Sequence, residues 1–82
     1  MIKLGIRVKL SKFNGTMDIP KDCEMSENYW SLIGEYGKVV KEKNERLRVL
    51  VQFENTNKLK ALHCHNEIEN SLWILETDVE LA

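Results

Sequence analysis

The chain is poor in the residues that punctuate or cross-link small proteins: one proline, four glycines and two cysteines among 82 residues. So few breakers, with no low-complexity tract, leave no place for a linker or a disordered tail. The cysteines, Cys23 and Cys64, are too few for the disulfide scaffold that a secreted chain of this size normally needs. Both are expected as reduced thiols packed like small apolar side chains. No long apolar run is present, and Lys3 and Arg7 interrupt the first residues, so neither a signal peptide nor a membrane span is expected. A cytoplasmic protein without membrane contact is the default. A basic excess is missing as well. Twelve Lys and Arg against thirteen Asp and Glu give a net charge of −1, which argues against strong, sequence-independent binding to nucleic acid.

What the chain does have is β patterning. Ile2, Leu4, Ile6, Val8 and Leu10 alternate with Lys3, Gly5, Arg7 and Lys9, a period of two that predicts a strand with one buried face. Residues 33–53 are the most informative stretch. They read Gly34-x-x-Gly37-x-Val39-Val40, a turn at Lys43-Asn44-Glu45, then Arg48-Val49-Leu50-Val51-Gln52-Phe53, which predicts a hairpin at the centre of a small barrel. The glycines are expected to serve a tight turn with positive φ and a close backbone approach. A turn at Asn55-Thr56-Asn57, strands at 59–63 and 72–75, a turn at Thr77-Asp78 and a closing piece at 79–81 complete the pattern. Residues 11–32, with Asn14-Gly15 and Pro20, form a long loop of the kind that carries function. At its end Ser26 is a candidate cap for one or two helical turns bearing Tyr29, Trp30, Leu32, Ile33 and Tyr36, stopped by Gly34 or Gly37. One domain over 1–82 follows: all-β, a small barrel of five or six short strands, with a long first loop containing a short helical turn.

Several of these motifs together resemble a known family. Gly5-x-Arg7-Val8-x-Leu10, the Gly34 to Val40 turn and strand, the Arg48 to Phe53 return and a terminal Trp73-Ile74…Asp78-Val79-Glu80 look like a Src-homology-3-like (SH3-like) β-barrel of the bacterial KOW type. The resemblance covers most of the chain except the loop 11–32, and it implies that fold rather than any one activity. The block from Tyr29-Trp30 through Asn70-Ser71-Leu72-Trp73-Ile74 is also similar to small uncharacterised bacterial proteins of the immunity and accessory kind, partners in toxin and mobile-element loci.

Charge is segregated along the chain. Lys3, Arg7, Lys9 and Lys12 give residues 1–12 a charge of +4, and Asp18, Asp22, Glu24, Glu27 and Glu35 against Lys21 give 18–35 a charge of −4. Lys38, Lys41, Lys43, Arg46, Arg48, Lys58 and Lys60 against Glu42, Glu45 and Glu54 return 38–60 to +4. Glu67, Glu69, Glu76, Asp78 and Glu80 make the remainder −5.

Catalytic and metal signatures are weak by comparison. On a strand His63 and His65 would share a face opposite Cys64, but zinc needs three or four ligands, and Cys23 or Glu67 would have to complete the set. Adjacent residues on a strand diverge, so neither histidine readily serves Cys64 as a base. Gly34-Glu35-Tyr36-Gly37 lacks the lysine–serine pair of a phosphate loop, and Glu35 would repel a phosphate. No enzyme, cofactor or metal is expected. Phe53 and Trp73 are expected in the core, whereas Tyr29 and Trp30 serve equally as a lid or as the wall of a binding groove.

The function these readings favour is a non-catalytic protein-interaction module, in its most concrete form an immunity-type protein that neutralises a toxin. Asp18, Asp22, Glu24, Glu27, Tyr29 and Trp30 are the candidate partner-binding residues, since acids around aromatics suit a basic partner. The alternative is a KOW-like RNA- or DNA-binding module that uses Lys41, Lys43, Arg46, Arg48, Lys58 and Lys60.

Overall fold

Alternation of β-branched and leucine residues decides which strand faces turn inward, and the structure, a computed structural model, describes residues 2–62, 66 and 68–82. Five strands form: β1 Arg7–Leu10, β2 Tyr36–Lys41, β3 Arg48–Phe53, β4 Ser71–Leu75 and β5 Val79–Leu81. They pair antiparallel in one sheet of order β4-β3-β2-β1-β5. The described structure is all-β, with single 3-10 turns as its only helical pieces, and none is long and apolar enough to cross a membrane.

Connectivity forces this sheet to curl. β4 and β5 occupy opposite edges, which in a flat sheet would stand about 19 Å apart at ~4.8 Å per strand. Only the 3-10 turn Glu76–Asp78 joins them, and at ~2 Å rise per residue such a turn spans well under 10 Å. The edges must therefore come round towards each other and enclose the core. Val8, Leu10, Val39, Val49, Val51, Phe53, Leu72, Ile74 and Val79 supply that core from the strands, and Phe13, Leu32, Leu59 and Leu62 supply it from the loops.

Gly34 and Gly37 play the two separate roles expected of them. Gly34 has φ +94° and its amide donates to the Leu10 carbonyl at 2.8 Å, turning the loop into β2. Gly37 lies where a Cβ would stand 2.6 Å from Val51 Cγ1 and 2.7 Å from the Gln52 carbonyl oxygen, closer than any side chain tolerates. In the β2–β3 turn the Asn44 side-chain oxygen accepts the amides of Arg46 and Arg48 at 2.9 and 3.0 Å. This local bond offers an alternative to ladder pairing and ends the hairpin there.

Four expectations are corrected. The first strand begins at Arg7, because Leu4 and Gly5 form a turn with Gly5 at φ +83° and Leu4 is exposed. The 59–63 stretch opens instead with the 3-10 turn Lys58–Ala61. Leu59 and Leu62, three apart, both bury there, a spacing that fits a three-residue turn better than a two-residue pleat. His63 lies outside the described residues. The helical segment is two 3-10 turns, Met25–Glu27 and Tyr29–Leu32, with no side-chain cap from Ser26, and Tyr36 already belongs to β2. Trp73 is not a core residue: its neighbours Leu72 and Ile74 face inward, and the indole sits half-buried on the outer face.

Candidate functional site

The long loop is pinned at its start. Phe13 and Thr16 exchange backbone hydrogen bonds of 2.9 and 3.2 Å around Asn14 and Gly15, whose φ values are +50° and +81°. Two positive φ angles in succession define the primed hairpin turn that Asn-Gly favours. Two residues from distant strands and turns hold its tip. The Gly15 amide donates to both carboxylate oxygens of Asp78 at 3.2 Å, and Asp78 is fully buried. Arg48 donates through Nη2 to Asn14 Oδ1 at 2.8 Å and through Nη1 to the Trp73 carbonyl at 3.2 Å. The Asp78 carbonyl accepts the amides of Ser11 and Lys12 at 2.8 and 3.2 Å. The turn thus bridges the seam where the two sheet edges approach each other.

Phe13 projects from this turn into the core, and the returning loop packs on it. Its ring lies 5.2 Å from Tyr29 in a tilted arrangement and 5.0 Å from Trp30 edge-on. Between the two limbs is an open groove of about 360 Å³. Phe13, Asn14 and Pro20 line one part, and Asp22, Cys23, Glu27, Tyr29 and Trp30 the other. Its lining includes the rings of Phe13, Tyr29 and Trp30, and its charged groups are the carboxylates of Asp22 and Glu27. Cys23 is a free thiol that donates to the Glu24 carbonyl at 3.4 Å. Among the described residues, Trp30 Nε1 and Asn28 Oδ1 are buried without a hydrogen-bond partner.

Of the six candidate partner-binding residues, the fold brings Asp22, Glu27, Tyr29 and Trp30 together in the groove. Asp18 and Glu24 are exposed outside its lining, and the Asp18 amide donates to Thr16 Oγ1 at 3.1 Å. Tyr29 and Trp30, for which a lid and a groove wall were the alternatives, pack against the core and line the depression. Sequence reasoning missed Phe13, Asn14, Pro20 and Cys23 as lining. The Asn14-Gly15 pair was the available signal, since a tight turn there folds Phe13 back towards the loop's return.

The six bases of the nucleic-acid alternative divide into two groups. Lys41, Lys43, Arg46 and Arg48 surround the β2–β3 turn, whereas Lys58 and Lys60 belong to an excursion that leaves β3 after Phe53 and rejoins β4 beside it. The length of β3, about 17 Å at ~3.4 Å per residue, separates these ends. Within the first group the Arg48 guanidinium is engaged by Asn14 and Trp73, and Lys43 lies 3.6 Å from Glu76.

One charge constellation lies away from the groove. Arg7 forks onto Glu54 with Nε and Nη2 at 2.7 and 2.9 Å and stacks 4.2 Å above the Tyr36 ring centroid. The hydrogen bond from Arg7 holds the Glu54 carboxyl below the ordinary glutamate range, and the bond to Glu54 raises the Arg7 guanidinium in turn. Both groups are exposed, so this is a surface tie between β1 and the end of β3. The metal candidates His63, Cys64, His65 and Glu67 lie outside the described residues.

Compared with protein-family models, curated proteins and solved structures, the chain finds no match.

Proposed function

We propose that this protein is a non-catalytic interaction module whose loop groove receives a cationic segment of a partner protein. The observation that carries the reading is the meeting of Asp22 and Glu27 with Tyr29 and Trp30 in one depression. A guanidinium or ammonium entering it gains attraction from the carboxylates and from the aromatic faces at once. The groove is the size of an anchor pocket, and the surrounding loop surface, with exposed Asp18 and Glu24, forms a polar rim of the kind that steers encounter with a basic partner. An antiparallel meander with a long first connection and a 3-10 turn before the last strand supports an SH3-like barrel as its scaffold. The most concrete form of the reading is an immunity-type protein that binds and neutralises a basic toxin in the cytoplasm.

The KOW-like nucleic-acid alternative draws less support, because its bases fall at two ends of β3 and Arg48 is held by Asn14 and Trp73. The test of the leading reading uses the product of the neighbouring open reading frame. The parent protein is expected to form a complex with that product, and Asp22→Lys/Glu24→Lys/Glu27→Lys to lose it while remaining folded. Absence of a complex with the parent, or equal binding by the reversed variant, contradicts the reading.

A further inference from the structure

We infer that Asp78 and Arg48 are positioning residues of the groove, which preorganise it for a cationic ligand without touching that ligand. The inference rests on the groove reading above and goes beyond it, since neither residue lines the groove. The connection runs through the turn at 13–16. Phe13 and Asn14 form part of the groove wall, and their placement depends on a backbone with two consecutive positive φ angles. Such a turn is one of several conformations open to a flexible loop unless its groups are held. Here they are held from two directions. The buried Asp78 carboxylate takes the Gly15 amide, and the Arg48 guanidinium takes the Asn14 side chain while it also grips the β4 edge at Trp73.

The placement of Asp78 is otherwise costly. A carboxyl group removed from water needs hydrogen-bond partners, and the side-chain donor–acceptor pairs of Asp78 among the described residues both involve the same Gly15 amide. An apolar residue would fill the space beside Val79 at less desolvation cost. What the carboxylate adds is a fixed position for Gly15, and with it for Asn14 and the aromatic ring of Phe13 against Tyr29 and Trp30. Ordering a loop before the ligand arrives removes that entropy cost from binding. Arg48 acts on the same turn from β3, so the two residues, one acidic and one basic, work in the same direction. This gives Arg48 a role opposite to that of a phosphate contact: it supports a site for cations.

The test uses Trp30 fluorescence in full-length protein carrying Trp73→Phe, with a blocked glycine–arginine–arginine–glycine tetrapeptide as probe. Asp78→Asn keeps one acceptor for the Gly15 amide and is expected to weaken probe binding two- to fivefold. Asp78→Ala removes both acceptors, and Arg48→Met frees Asn14; each is expected to weaken binding at least fivefold. Val39→Ala, a core truncation on β2 that leaves the turn intact, serves as the stability control and is expected to bind as the parent does at temperatures where all variants are folded. Hydrogen exchange at the Gly15 amide should quicken in the Asp78 variants ahead of global unfolding. Binding unchanged in Asp78→Asn and Arg48→Met, with the parent binding normally, overturns this inference alone. Failure of the parent to bind the probe overturns the groove reading and this inference with it. If Asp78→Ala does not fold, Asp78→Asn and Arg48→Met still decide the matter.

Discussion

Trp73 stands directly opposite Leu50 in the β3–β4 register, on the face turned away from the core. The amides of Phe53 and Glu76 bond to the carbonyls of Asn70 and Leu47, which makes Leu50 and Trp73 a non-hydrogen-bonded pair, the kind whose side chains approach most closely. Leu50 is only 2% exposed in spite of its outward position. Leu50 is therefore covered although it stands outside the main core.

That register yields the first prediction. Trp73→Phe should lower stability by about 1 kcal/mol or less, because it keeps an aromatic over Leu50 and opens no core cavity. Ile74→Ala, one residue on and fully buried, should cost about 2–5 kcal/mol. Urea denaturation of the two variants measures both, and the opposite order would place the indole inside.

The glycines give a second contrast. Gly37→Ala drives a methyl group to 2.6 Å from Val51 and 2.7 Å from the Gln52 carbonyl, which the paired strands β2 and β3 cannot relieve without moving apart. A loss of about 3 kcal/mol is expected, at the upper end of overpacking. Gly34→Ala meets open space and suffers only from its φ of +94°, a cost of about 1–2 kcal/mol. Thermal melts of the pair should rank them in that order.

The Arg7–Glu54 fork sets a pH dependence whose sign is fixed. Because the folded-state pKa of Glu54 is lowered by the hydrogen bond from Arg7, the pair contributes stability above the unfolded glutamate value, and that contribution disappears as pH falls through the folded value. Carboxyl chemical shifts followed through an acid titration should show Glu54 ionising below ordinary glutamates, and Arg7→Met should return it to the usual range. Both side chains are more than half exposed, so added salt should shrink the difference.

The division of the basic residues predicts a negative result with nucleic acid. With Lys58 and Lys60 on the 3-10 turn that follows β3 and Lys41, Lys43 and Arg46 around the β2–β3 turn, mixed-sequence RNA should not shift the protein in a gel even at low salt. A shift that vanishes steeply with added salt would show phosphate contacts and reinstate the alternative.

Much of the scaffold was legible because it depends on local chemistry. Alternation located the buried face of β1, the β-rich run 48–53 marked the return strand, Asn44 and Asn14-Gly15 marked turns, and Gly34 and Gly37 marked a positive φ and a close approach. The errors arose where two periods compete over a few residues. Leu59 and Leu62 bury three apart, yet the same stretch also alternates as Leu59, Ala61 and His63. Leu72, Trp73 and Ile74 form an apolar run in which any residue could face inward, and only pairing with β3 settles which do. The groove was half legible. Acids and aromatics in 18–30 could be seen as a candidate surface, but the contributions of Phe13 and Asn14, and the support from Arg48 and Asp78, depend on contacts across up to 63 residues of chain. Local pattern carries no such information.

Trp30 emission in the Trp73→Phe background reads directly whether the groove takes positive charge in preference to negative. Titration with the blocked arginine tetrapeptide should give a saturable change that weakens with salt and disappears in Asp22→Asn/Glu27→Gln. The matching glutamate tetrapeptide should give none. An equal response to both peptides, or an arginine response that survives loss of the two carboxylates, would contradict the account.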